Sequence, residues 1–238
     1  MKADAASEGL SVAVHPADGP AAYYSEEFLP VSVSGTAYLV LKRAFDLVFS
    51  LLSMILLSPL MLCVAACIKA EDGGPVIHKR LCTGKCGCTY KMYKFRSMKV
   101  DADNLERWLS REQILQYRRE VKIDNDPRIT RCGRIIRKLS IDELPQLFSI
   151  LKGDMSFVGP RPMTQEESTH FGRDSEAILC IKPGLTGYWQ VNGRSDCTYE
   201  SGRRQQLELY YAGHRCLRLD LRILLKTVFV ILDRKGAR

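Results

Sequence analysis

At 238 residues the chain is long enough to bury a sizeable core, as one domain with appendages or as two small ones. Its 35 Lys and Arg outnumber 27 Asp and Glu, and the net charge of +8 points to anionic partners; nucleic acid, phosphorylated substrates and anionic lipid all qualify. The 9 cysteines argue against a disulfide framework, because the number is odd and Cys63, Cys67 and Cys180 sit in apolar runs; a reducing compartment is the simpler setting.

Residues 1–36 are rich in Ala, Ser, Gly and Pro, with acidic residues and no sustained period. They read as a disordered or loosely attached tail, in which Tyr23-Tyr24 and Phe28-Leu29 offer at most a local contact. No apolar stretch follows Met1, so no cleaved leader is expected. Lys42-Arg43 then opens residues 47–68, a run without a charged side chain and about the length needed to cross a bilayer. Two features argue against a plain span. Ser58-Pro59 falls near the middle, where proline removes a backbone donor and kinks a helix. Basic residues also flank both ends, Lys42 and Arg43 before, Lys69, Lys79 and Arg80 after, whereas a span should be asymmetric. The favoured reading is a re-entrant helix over residues 37–70, broken at Ser58-Pro59 and leaving by the face it entered. Asp46 is expected to pair with Lys42 or Arg43, one turn away.

Glu71-Asp72-Gly73-Gly74-Pro75 is a turn cluster that ends this element. Val76-Ile77-His78 fits a short strand. Gly84 and Gly87 stand among Cys82, Cys86 and Cys88, and Tyr90-Lys91-Met92-Tyr93-Lys94-Phe95-Arg96 alternates apolar and basic residues, so together they predict a hairpin with one basic face. The three cysteines with His78 invite a zinc site, but small residues in a reduced turn is the preferred reading. Residues 99–121 carry Leu105, Trp108, Leu109, Ile114, Leu115 and Tyr117 at helical spacing, a surface amphipathic helix. Asp124-Asn125-Asp126-Pro127 is a turn.

Residues 134–162 organise the rest. Arg134, Arg137 and Lys138 precede Ser140-Ile-Asp142-Glu143, a short apolar helix follows, and Gly159-Pro160-Arg161-Pro162 makes a turn. Ser140 and Glu143 fit a capping box, which puts Asp142 at a helix N-terminus, where it should be ionised. With Asp142 as the cap instead, Pro145 falls comfortably in the first turn. Neighbouring side chains on a helix point about 100° apart, so Asp142 and Glu143 suit distinct jobs rather than one acid/base pair. Capping alone would explain the pair. The arginines around it turn the reading toward chemistry: a carboxylate nucleophile ringed by cations suits a diphosphate, whose oxygens arginine binds bidentately.

After Pro162 lies a polar region with Glu166, Glu167, His170 and Phe171. Residues 182–194 concentrate Gly, amide and hydroxyl groups around Trp189, the composition of a loop that closes over a polar ligand. Leu207, Tyr210 and Tyr211 predict a helix over 203–213. Residues 217–232 are apolar with Arg218, Arg222 and Lys226 four apart, which fits a membrane-surface helix or core packing.

These residues resemble the bacterial sugar transferase family, small monotopic phosphoglycosyl transferases that start exopolysaccharide, capsule or O-antigen assembly. The likeness runs from Lys42 to the C-terminus. It rests on Lys42-Arg43-x-Phe45-Asp46, Ser58-Pro59, Tyr93-Lys94-Phe95-Arg96-Ser97-Met98, Arg137-x-x-Ser140-x-Asp142-Glu143-Leu-Pro, Lys152-Gly-Asp-Met-Ser-Phe-Val-Gly-Pro-Arg-Pro162 and Pro183-Gly-Leu-Thr-Gly-x-Trp-Gln-Val-Asn-Gly-Arg194. The lack of a multi-span N-terminal half resembles the short branch, which includes exopolysaccharide-initiating galactose-1-phosphate transferases. The resemblance implies that Asp142 attacks the β-phosphate of a UDP-sugar, forms a covalent phosphosugar–aspartate and passes the phosphosugar to undecaprenyl phosphate, releasing UMP. It implies Mg²⁺ held at Asp142 and Glu143, Glu143 supporting the metal or the Asp142 geometry, Arg137 on phosphate, Arg161 on the nucleotide, and Lys94 and Arg96 as further diphosphate ligands. Cys82, Cys86 and Cys88 depart from the family's usual turn.

The expected architecture is α+β and mostly helical: a tail (1–36), the re-entrant helix (37–70) and a membrane-associated catalytic domain (71–238) with a short β-hairpin and amphipathic surface helices. The expected location is the cytoplasmic face of the bacterial inner membrane, against its lipid, with no nucleic acid. UDP-galactose or UDP-glucose is the preferred donor, an N-acetylated or diamino sugar the alternative. A membrane-tethered basic binding module is the competing class, since aromatics interleave with lysines at 90–95.

Overall fold

From Thr36 the sequence is mainly apolar, with Lys42, Arg43 and Asp46 near its start, and in the computed structural model, which describes residues 35–120, 123, 125–193 and 201–232, it forms one helix. The Tyr23-Tyr24 and Phe28-Leu29 pairs, Asp124 and Arg194 lie outside the described residues. Helix α1 (Thr36–Asp72) is 37 residues, about 55 Å at 1.5 Å per residue. It is long and apolar enough to cross a membrane, and only 11% of its most apolar window is buried. The break expected at Ser58-Pro59 is not formed: the backbone stays helical through Pro59. The Ile55 carbonyl, which proline leaves without its amide donor, instead accepts the Ser58 hydroxyl at 2.8 Å.

One stripe of α1, Asp46, Ser50, Val64 and Ile68 with Met54 and Met61, faces the rest of the chain. Its remaining surface exposes Leu47, Val48, Leu51, Leu52, Ile55 and Leu56. Fastenings lie at both ends. Lys42 reaches Asp220 at 2.6 Å, and Arg43 caps the carbonyls of Ile150 and Leu151 at 2.7 and 2.9 Å. Asp46 accepts from the Phe157 amide at 2.9 Å and the Ser156 hydroxyl at 3.1 Å. The expected Asp46 pairing with Lys42 or Arg43 is thus replaced: each of the three holds a different part of the domain. At the far end Glu71 accepts from the Arg131 amide at 2.7 Å, and Asp72 holds Arg96.

Strands β1 (Ile77–Thr83) and β2 (Thr89–Phe95) form the hairpin, in register from Ile77 opposite Phe95 to Thr83 opposite Thr89. The single basic face is not formed. Lys91 and Lys94 are three apart, so the period of two sends them to opposite faces. Cys82 is buried against Tyr90 and Met92, whereas Cys86 and Cys88 are exposed in the turn. The segment read as one amphipathic helix is split into α2 (Leu105–Trp108) and α3 (Arg111–Glu120).

Helices α4 (Arg131–Lys138) and α5 (Gln146–Lys152) follow, joined by a 3₁₀ turn over Ile141–Glu143. Strand β3 (Ser156–Val158) then pairs in parallel with β4 (Gly184–Thr186), and the crossover between them carries α6 (Gln165–Ser168) and α7 (Ser175–Leu179). Residues 182–193, read as a closing loop, are instead β4 and α8 (Tyr188–Asn192), with Trp189 buried. The reason is close backbone approach: a Cβ on Gly184 would fall 2.1 Å from the Gly159 nitrogen, so the glycines let two strands touch rather than a loop move. Helices α9 (Arg203–His214) and α10 (Leu217–Leu232) complete the fold. Core packing accounts for one side of α10, and the other side is left exposed. Asp220 and Ile223 are buried, while Leu217, Leu221, Leu225 and Phe229 are exposed beside Arg218, Arg222 and Lys226.

Candidate active site

The site begins with how α4 is held. Its first amides are satisfied by the Thr130 side chain, which accepts from Gly133 at 2.9 Å, and by Glu71 of α1. Arg137, near its end, leans back to donate from Nε to the Ser97 hydroxyl at 2.8 Å. The chain then turns sharply. Ser140 adopts φ +55°, a left-handed conformation that is costly for a side chain with a Cβ. The expected capping box does not form: the Ser140 side chain makes no cap bond, and Lys94 holds Glu143 at 2.7 Å. A Thr-x-x-Glu capping box exists elsewhere, at Thr164 and Glu167.

Asp142 therefore sits on a three-residue 3₁₀ turn ahead of Pro145 and α5, not in the first turn of a long helix. The carboxyl is half-buried, and burial raises its pKa above the ordinary aspartate value. Lys94 opposes this rise, Glu143 adds to it, and Arg137 opposes it. The shift runs opposite to a helix-dipole expectation, because so short a turn supplies little dipole against the desolvation. Burial also lowers the pKa of Arg137, with Asp142 and Asp126 pulling it back up. Strand β2, helix α4 and the strained turn thus bring together Lys94, Arg137, Asp142 and Glu143.

Arg96 does not join them. Its guanidinium grips both carboxylate oxygens of Asp72 and donates from Nε to the Pro75 carbonyl at 2.6 Å, leaving it 6% exposed. It is a strut between α1 and the end of β2. Arg161 stands in a neighbouring cluster. Its amide donates to Glu208 at 3.1 Å, and its guanidinium lies 5.6 Å from the centre of the Trp189 ring, which Arg204 also covers at 4.4 Å. The two clusters flank β1. Thr83 donates its amide to Met163 beside the Arg161 turn, and the buried Cys82 thiol feels the charges of both Lys94 and Arg161.

The sequence reading missed Glu208 and Arg204. The signal was available: Glu208 stands three and four residues before the buried Tyr211 and Ala212, so helical spacing puts a carboxylate on the core stripe of α9. An apolar groove of about 190 Å³, lined by Met54, Met61, Ile77, Tyr93, Leu144, Pro145 and Phe148, runs from α1 to the residues that directly follow Glu143.

Hard oxygen donors are present for a divalent cation. Mg²⁺ needs only one or two carboxylates when substrate phosphates complete its shell, so the adjacent Asp142 and Glu143 fit it. Among the described residues no group of three His, Cys, Asp or Glu gathers to hold a metal on protein ligands alone.

This chain is 44% identical over 200 residues to an undecaprenyl-phosphate galactose phosphotransferase of Salmonella typhimurium, an alignment covering 83% of this chain and 41% of that one. It is 38% identical over 199 residues to the exopolysaccharide production protein ExoY of Sinorhizobium fredii, covering 82% and 87%. To a UDP-N-acetylgalactosamine-undecaprenyl-phosphate N-acetylgalactosaminephosphotransferase of Aeromonas hydrophila it is 36% identical, covering 84% and 46%. The chain spans about two fifths of the length of the Salmonella relative and most of the length of ExoY. The profile of the bacterial sugar transferases matches residues 37–234, nearly everything from the start of α1 to the end of α10, and the chain belongs to that family.

Proposed function

We propose that this chain transfers hexose-1-phosphate from a UDP-sugar to undecaprenyl phosphate, releasing UMP, as the first membrane step of a bacterial polysaccharide pathway. The observation that carries the reading is Asp142: a half-buried carboxylate on a strained turn, with Lys94 and Arg137 acting on it, next to an apolar groove that leads to α1. In the first step a carboxylate oxygen of Asp142 attacks the β-phosphorus. The bond from that phosphorus to the bridging oxygen breaks, and the oxygen leaves on UMP. In the second step a phosphate oxygen of undecaprenyl phosphate attacks the same phosphorus, and Asp142 departs as a carboxylate. Arg137 and Lys94 offset the repulsion between carboxylate and diphosphate, and Arg161 grips the donor from the other side of β1. Glu143, fixed by Lys94, orients its neighbour. Mg²⁺, held by Asp142, Glu143 and the donor phosphates, would neutralise diphosphate charge.

The same reading places α1 as a re-entrant helix at the cytoplasmic face of the inner membrane. What supports it is that α1 is fastened near both ends, at Lys42, Arg43 and Asp46 and at Glu71 and Asp72, to one polar domain. UDP-galactose or UDP-glucose is the favoured donor, and the Aeromonas relative supports an N-acetylated sugar as the alternative. UMP release from a panel of UDP-sugars, in membranes supplied with undecaprenyl phosphate, tests both. One sugar should dominate, and Asp142→Asn should lose at least about 10³-fold in rate. An Asp142→Asn protein with full turnover overturns the nucleophile, and no UMP from any sugar leaves the binding-module reading standing.

A further inference from the structure

We propose that Glu208 is a positioning residue for donor binding: its buried carboxylate holds the Arg161 turn by the main chain and draws the guanidinia of Arg161 and Arg204 onto Trp189. The inference rests on the reading that Arg161 meets the UDP-sugar.

The turn at Gly159-Pro160-Arg161-Pro162 is clamped on three sides. The Gly159 amide donates to Thr186 at 3.0 Å, the Pro160 carbonyl accepts from Gly184 at 2.8 Å, and the Arg161 amide donates to Glu208 Oε1 at 3.1 Å. Two of these clamps come from backbone and one from a side chain that has no exposed surface. The other carboxylate oxygen, Oε2, finds no hydrogen-bond partner among the described residues, and neither does the Trp189 indole nitrogen. A neutral amide at position 208 would accept the Arg161 N–H equally well and avoid burying a charge. The second oxygen and its charge are thus surplus to the fold. They do act on something: the charges felt by Glu208 are those of Arg161, from the turn, and Arg204, one helical turn away on α9 itself. Both guanidinia lie over the same ring, Trp189, carried by α8, which packs on α9. Burial brings the carboxyl to about 7, so its charge changes across the neutral range. Charged, it keeps both arginines inward and ordered; protonated, it releases them.

The test uses the full chain in detergent or nanodiscs, measuring UMP release against donor concentration from pH 6 to 8. In the wild type, KM for the UDP-sugar should climb as the pH falls and the carboxylate takes up a proton. Glu208→Gln should keep its fold by thermal melting and its kcat to within about twofold, with KM raised about three- to tenfold at pH 8 and flat with pH. Glu208→Asp should retain part of the wild-type pH dependence. A Glu208→Gln protein with wild-type KM at every pH overturns the inference, and so does one that melts early and loses kcat, which marks a merely structural role. A wild type that releases no UMP is the failure of the functional reading itself, and the inference falls with it.

Discussion

Asp142 carries a carboxyl that burial holds above the usual range, and the pH dependence of attack follows from that. In the proposed first step the reacting form is the carboxylate, so activity should fade on acidification at a higher pH than an ordinary aspartate would give. Lys94 is the strongest charge opposing the shift, and it also neutralises Glu143. Lys94→Met should therefore move the acid limb of kcat/KM for the donor to higher pH, a profile measurable by UMP release; an unmoved limb would show that Lys94 does not tune Asp142. Glu208 gives a stability counterpart. Burial pushes its carboxyl up to about 7 in the folded chain, against about 4.3 in an unfolded one. The folded state holds the extra proton between those values, so the stability this group contributes is fully present below about 4.3 and lost as pH rises through about 7. Glu208→Gln should be more stable than the wild type at pH 8, by up to about 4 kcal/mol, and equal to it near pH 4, as thermal melting would read. Which charges would cluster was only partly visible from residue order. Lys94, Arg137, Asp142 and Glu143 converge because they lie in or beside short elements that pack directly on one another. Arg96 shares the parity of Lys94, but it lies one residue beyond β2, where Asp72 of α1 meets it. No local pattern announces a partner 24 residues away.

Among the elements, α1 was the most legible, since a charge-free run of that length has few uses. Its proline and its flanking cations were read from the sequence, but the job of Lys42-Arg43-x-Phe45-Asp46 was not. Spacing along a helix suggested an internal pair, whereas the three charged side chains fasten α1 to α10, α5 and β3. The Lys42–Asp220 pair is nearly dry, with 13% and 9% of the two side chains exposed, and Asp220 also accepts from the hydroxyls of Tyr38 and Tyr211. Removing the cation alone strands a buried carboxylate. Lys42→Met should cost about 3 kcal/mol, and pairing it with Asp220→Asn should recover most of that, as melting in detergent would show. Strands β3 and β4 were invisible in the sequence because three residues carry too little period. The closing-loop reading failed for the same reason: glycines that permit backbone contact look, in sequence, like glycines that permit motion.

For the molecule as a whole, the exposed apolar surface of α1 and that of α10 are two parts of one problem, how a basic domain meets a bilayer. The exposed face of α10 alternates leucines with Arg218, Arg222 and Lys226, a pattern suited to anionic lipid. In a chain whose 9 native cysteines are replaced by serine, Gly35→Cys and Lys79→Cys, on either side of the apolar run, distinguish the topologies. With a membrane-impermeant thiol reagent on cells stripped of their outer barrier, both should label only after the inner membrane is opened. A plain span would expose one of them from the start. That the chain is mostly helical with a short β-hairpin could be read from residue order, because those signals are local. The assembly of the Arg161, Trp189 and Glu208 cluster could not, since it draws on three segments that only the crossover brings together.

The bond between Lys42 and Asp220 joins residues 178 apart in the chain. During synthesis at about 5–20 residues per second, α1 leaves the ribosome roughly 10–35 s before its anchor exists. Over that interval Glu71, Arg43 and Asp46 can already find α4, α5 and β3, whereas the Lys42 anchor waits for α10. The fastening of Lys42 by Asp220 is therefore a late step, made only after the helix it holds has long been synthesised.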